Sequence, residues 1–103
     1  MDFQDLVLTG IGDWSIEAIH WEEDSVLRMV FADTMDQEVS VRFTWVTELS
    51  INLQYGKYAG QPLLYDASLR KTDMGIWELT FVLETQPTGH ITFKYNKADV
   101  EIL

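Results

Sequence analysis

From Val39 to Tyr55 the odd-numbered positions are apolar except Thr47, and the even-numbered positions are polar except Val46. A period of two is the signature of a strand. Alternation this regular sets one face on a core and the other in water, as in an antiparallel sheet rather than a parallel sheet covered on both sides. The run covers 17 residues, about three times a typical strand, so it has to bend or break. The two exceptions put the break at Val46 to Glu48, where a strand that turns a corner can serve two sheets of a sandwich or two sides of a barrel.

The same pattern recurs on either side. Trp14 to Trp21 reads as a strand with Trp14, Ile16, Ala18 and His20 on one face, and Glu22-Glu23-Asp24-Ser25 as a hairpin loop leading into Val26 to Ala32. In that second strand Leu27, Met29 and Phe31 share a face, and Asp33 to Gln37 is the next loop. Beyond a loop at Gly56 to Gly60, Leu63, Tyr65, Ala67 and Leu69 alternate with Leu64, Asp66, Ser68 and Arg70, ending at Lys71-Thr-Asp-Met-Gly75. Trp77, Leu79, Phe81 and Leu83 form the next apolar face, Gln86-Pro-Thr-Gly89 a tight turn, and Ile91, Phe93 and Tyr95 the returning strand. Asn96-Lys97 breaks it, and Val100 and Ile102 add a short last piece. The pattern predicts an all-β fold in a single domain spanning residues 1–103. It is an antiparallel meander of about seven or eight strands forming a sandwich or open barrel. Phe3 to Ile11, broken by Gly10, reads as a short turn or edge segment; at most one short helix is expected, near Phe3 to Leu8 or Tyr55 to Gly60, in place of that reading. No internal repeat is visible.

Composition supports a folded chain: 47% hydrophobic and 13% aromatic, with two prolines. The absence of cysteine excludes a disulfide framework and thiolate chemistry, and agrees with a reducing compartment. The N-terminus lacks the basic and apolar regions of a secretory signal and no segment reaches membrane-spanning length, so a cytoplasmic chain without a membrane partner is expected. Charge is the less ordinary property. The net charge is −10, and eleven of the seventeen acids but only two of the seven bases lie in residues 1–50. That half carries −9 and the rest −1. Such a field repels phosphate backbones, which argues against nucleic acid, and steers a basic partner toward the N-terminal half.

Candidate chemistry is sparse. His20 and His90 read first as structural and solvated strand residues. None of the Gly-x-Ser-x-Gly, His-Glu-x-x-His, Ser-x-x-Lys or phosphate-loop patterns is present, and the acidic loops lack the ligand spacing of a calcium site. No cofactor, metal site or catalytic residue is expected. Trp14, Phe31, Phe43, Trp45, Trp77, Phe81 and Phe93 fall largely on faces assigned to the core. Trp21 abuts the acidic Glu22-Glu23-Asp24 loop and Tyr58 lies in a predicted loop, which would put an aromatic anchor beside carboxylates, a pairing suited to binding Lys or Arg; an aromatic flanking a hairpin also serves as a staple.

Five stretches carry a family resemblance: Asp13-Trp14-Ser-Ile-Glu-Ala-Ile-His-Trp21, Arg42-Phe43-Thr-Trp-Val46-Thr-Glu-Leu49, Gly75-Ile-Trp-Glu-Leu-Thr-Phe81, Ile91-Thr-Phe93 and Asp99-Val-Glu-Ile102. Together they resemble the small all-β immunity proteins of bacterial polymorphic toxin systems and their uncharacterised relatives. The resemblance implies a cytoplasmic, non-enzymatic inhibitor that occludes a toxin by surface complementarity; it transfers no functional residue. Read together with the charge, it makes a basic protein partner, such as a toxin domain, the leading expectation. Trp21, Glu22, Glu23, Asp24, Asp33 and Asp36 are the residues expected to carry the contact. The alternatives are a homo-oligomeric structural module, for which Val46 on the polar face is the clue, and a small-ligand-binding barrel with an aromatic interior.

Overall fold

In a computed structural model that describes residues 2–52, 63–84 and 89–103, one short helix precedes eight strands. These are α1 (Phe3–Thr9), β1 (Ser15–Glu23), β2 (Val26–Ala32), β3 (Glu38–Thr44), β4 (Thr47–Asn52), β5 (Leu64–Lys71), β6 (Trp77–Leu83), β7 (Gly89–Tyr95) and β8 (Lys97–Ile102). The expected loop at 56–60, the alternative helix there, Tyr58 and residues 86–88 of the expected turn lie outside the described residues. The all-β expectation holds: two four-stranded antiparallel sheets, ordered β1-β2-β3-β8 and β4-β7-β6-β5, face each other as a sandwich.

That strand order has an internal logic not visible in the sequence. Three consecutive strands form a meander, and the fourth crosses to the edge of the opposite sheet; β5 to β8 then trace the same path and return the exchange. The two crossings lie side by side, with the Asn96 amide donating to the Thr44 carbonyl at 3.0 Å. The two sheets also meet where Ser15 bridges Leu63.

The central strands keep the predicted faces. Leu27, Met29 and Phe31 of β2, Val39, Val41 and Phe43 of β3, Leu79, Phe81 and Leu83 of β6, and Ile91, Phe93 and Tyr95 of β7 are all buried. Their rings interlock edge to face, with Phe43 centred 4.9 Å from both Phe93 and Tyr95. The opening stretch is helical rather than a turn or edge segment, because Phe3 and Leu6, one turn apart, bury one face of α1 in the same cluster, Phe3 5.2 Å from Phe43. The helix ends at Gly10, whose φ of 104° suits a residue without Cβ.

The other three strands whose faces were expected each carry a shift of register, at which one residue drops out of the alternation. In β4 Leu49 still packs against the core as expected, whereas β1 and β5 depart from the pattern. In β1 the shift at Glu17 brings Ile19, not Ala18 or His20, toward the core. In β5 a shift at Tyr65 buries Leu64 and leaves Leu63 and Tyr65 exposed, the reverse of the expected face until Ala67 restores it. All three are edge strands, where bulges are common because they twist an exposed ladder away from a second copy.

Candidate functional site

The long alternating run breaks at Trp45 and Val46, at the start of the expected interval. Trp45 and Glu48 both adopt left-handed backbone, with φ of 59° and 54°. Between them Val46 turns inward and is only 3% exposed, while Trp45 is thrown outward at 66%. Two expectations are thereby corrected. Trp45 is not a core residue, because the backbone turns over before reaching it. Val46 offers no oligomer contact, because it fills the core at the corner.

Three further connections gather at this end, one of them the β7–β8 crossing at Asn96. The Val46 amide donates to the Ser25 carbonyl at 2.9 Å, fastening the β1–β2 hairpin to the corner. The β5–β6 loop approaches from the other sheet. Trp45, Glu48, Asp73, Met74, Ile76 and Lys94 line a groove of about 640 Å³ that is open to solvent. Met74 is 88% exposed. Lys94 binds Glu48 at 2.6 Å and lies 3.8 Å from Glu78. The hydrogen bond and charge of Glu48 hold its pKa above the ordinary value of 10.5, so the ammonium stays charged at neutral pH.

Of the residues expected to bind a partner, four lie at this end. Trp21 is 54% exposed near the tip of the edge hairpin. Glu22 is the extra residue of a second register shift in β1, and its carboxylate lies 3.3 Å from Arg28 and 3.7 Å from Arg42. Glu23 accepts from Arg42 at 3.0 Å. These pairs have a structural cause: Arg28 and Arg42 stand directly opposite each other on β2 and β3, a like-charge pairing that the hairpin carboxylates relieve. Asp24 stands exposed in the turn.

Asp33 and Asp36 lie elsewhere. They occupy the β2–β3 loop at the far end of β2, roughly 20 Å along a strand of that length. The Asp33 carboxylate accepts from the amides of Met35 and Gln37 at 2.8 and 2.9 Å, and so shapes the turn. Asp36, with φ of 61°, completes it. The two acidic loops therefore form no common patch.

His20 and His90 are exposed. Among the described residues no group of three or more His, Asp or Glu is arranged to hold a metal ion, and no helix is long and apolar enough to cross a membrane. The centre of the sandwich is occupied by Phe3, Phe43, Phe81, Phe93 and Tyr95, where a ligand-binding barrel would need space. Sequence reading missed Trp45, Asp73, Met74 and Lys94 as site residues. The signal for Trp45 was present in Val46, whose place on the polar face marks a backbone that has turned over. No protein-family model matches the chain, and neither a curated protein nor a solved structure is significantly similar to it.

Proposed function

We propose that this chain is a non-enzymatic protein-binding module of the immunity type, which covers the basic surface of a toxin domain in the cytoplasm. The observation that carries the reading is Trp45, a large aromatic exposed in a left-handed conformation that glycine or asparagine would adopt at lower cost. The corner needs the backbone geometry and not the indole. Exposed tryptophan is the residue type most often found at the energetic centre of protein interfaces, and Trp21 stands at the same end of the molecule.

Charge serves a different purpose in this reading. Glu22 and Glu23 are engaged with Arg28 and Arg42, so they hold the hairpin in place. Asp24, Asp33, Asp36 and the rest of the −9 half supply a long-range field that speeds encounter with a basic partner. Contact energy falls to Trp45 and Trp21.

Capture from a lysate of the source cells, followed by kinetics on the purified partner, tests the assignment. The expected partner is basic, associates more slowly as salt is raised, and loses about thirty-fold in affinity with Trp45→Asn, the loss typical of an interface hot spot. An acidic partner, or one bound equally by wild type, Trp45→Asn and Trp21→Ala, overturns the proposal.

A further inference from the structure

We infer that the groove between the Trp45 corner and the β5–β6 loop is a socket for an arginine side chain presented by the partner. This deepens the reading above and rests on it for the partner's identity. The groove offers the three surfaces that an arginine uses. Trp45 presents an open aromatic face, on which a planar guanidinium stacks. Met74 and Ile76 line the adjoining wall, where the aliphatic stem of the side chain loses water. Asp73 supplies a carboxylate, and among the described residues no ion pair includes it.

The cation already in the groove does not oppose this assignment. Lys94 is neutralised by Glu48 at 2.6 Å and faces Glu78 as well, so the uncompensated charge at the groove is that of Asp73. An anionic ligand would meet Asp73 and Glu48 unfavourably; a wholly apolar one would leave Asp73 desolvated. The adjoining strand seats one of the chain's own cations in the same manner, the Lys71 ammonium lying 5.4 Å from the centre of the Trp77 ring. Arginine is favoured over lysine because its plane stacks on an indole while its fork still reaches a carboxylate.

Nuclear magnetic resonance titration of the full chain with small probes provides the test. The probes are N-acetyl-arginine amide, its neutral isostere N-acetyl-citrulline amide, N-acetyl-lysine amide and N-acetyl-leucine amide, followed at the Trp45 indole N–H and the Met74 methyl group. The arginine probe is expected to shift both signals saturably in the millimolar range, with the citrulline and leucine probes at least about five-fold weaker. Asp73→Asn should weaken the arginine probe several-fold and leave citrulline unchanged. Trp45→Asn, which retains a residue suited to positive φ, should abolish the Met74 response.

Equal shifts from citrulline and arginine, shifts mapping to another surface, or an unchanged arginine affinity in Asp73→Asn each overturn the socket. The two proposals fail separately. A basic partner that needs Trp45 but competes with no arginine probe sinks the socket alone. Arginine binding in the groove, with a partner indifferent to Trp45 and Trp21, sinks the proposed function alone.

Discussion

Tyr95 is the clearest case of a residue whose surroundings work against part of its chemistry. Its ring is fully buried beside Phe3, Phe43 and Phe93, and its hydroxyl has no hydrogen-bond partner among the described residues. Burial pushes the hydroxyl above its ordinary pKa of 10.0, because the phenolate would be desolvated. A folded-state pKa raised in this way contributes stability that is complete below pH 10.0 and is lost as pH rises beyond it, since the unfolded chain releases its proton first. Lys94 acts in the same direction, its pairing with Glu48 being lost as pH rises past 10.5. Tyr95→Phe removes the unpaired hydroxyl and keeps the ring. It should raise stability at neutral pH by about 1 kcal/mol and make the alkaline loss shallower. Urea denaturation at pH 7 and above pH 10 measures both, and a loss of stability at pH 7 would assign the hydroxyl a partner.

At the scale of the element, the β3–β4 corner explains how a sharp bend can leave the alternation on the same parity on both sides of it. Core contacts pass from Phe43 to Val46 to Leu49, three residues at a time rather than two, with Trp45 and Glu48 as the extra residues at positive φ. Two one-residue slips cancel, so Leu49 returns to the parity that Phe43 began. The alternation from 39 to 43 was thus a sound guide to β3, and the same parity misplaced Trp45. Neighbouring substitutions should therefore behave in opposite ways. Trp45→Asn should leave stability within about 0.5 kcal/mol of wild type, because relief of left-handed strain offsets the lost partial burial. Val46→Ala should cost about 2 kcal/mol, the loss of two buried methyl groups with a cavity left behind. Denaturation midpoints of the two variants decide between this account and one in which Trp45 supports the core.

For the whole molecule, the exchange of fourth strands makes each half depend on the other. β4 pairs with β7 and β8 with β3, so neither meander has a complete sheet without a strand from its counterpart. The aromatic cluster crosses the same divide, Phe43 meeting Phe93 and Tyr95. A chain ending after Asn52 would leave β3 and β4 without those partners and expose Val39, Val41 and Phe43 to water. It is expected not to fold as a monomer. Dispersed amide resonances together with monomeric sedimentation from that fragment would overturn the expectation. The exchange also explains why the equivalence of the halves is hidden in the sequence: it lies in strand order and burial, which many apolar residues satisfy equally.

By itself the sequence determined the antiparallel all-β class, the positions of most of the strands and the buried faces of β2, β3, β6 and β7. Those strands run without register shifts against their central neighbours, so a local period of two is enough to orient each side chain. The tertiary structure alone decided the rest. A bulge changes which face a residue occupies through its pairing with another strand, as at Glu17, Glu22 and Tyr65. Pairing across strands likewise separated the acidic loops to opposite ends of β2 and bound Glu22 and Glu23 to Arg28 and Arg42. It also brought Trp45, Asp73 and Met74, far apart along the chain, to one groove, because contacts between distant strands have no period that a single sequence displays.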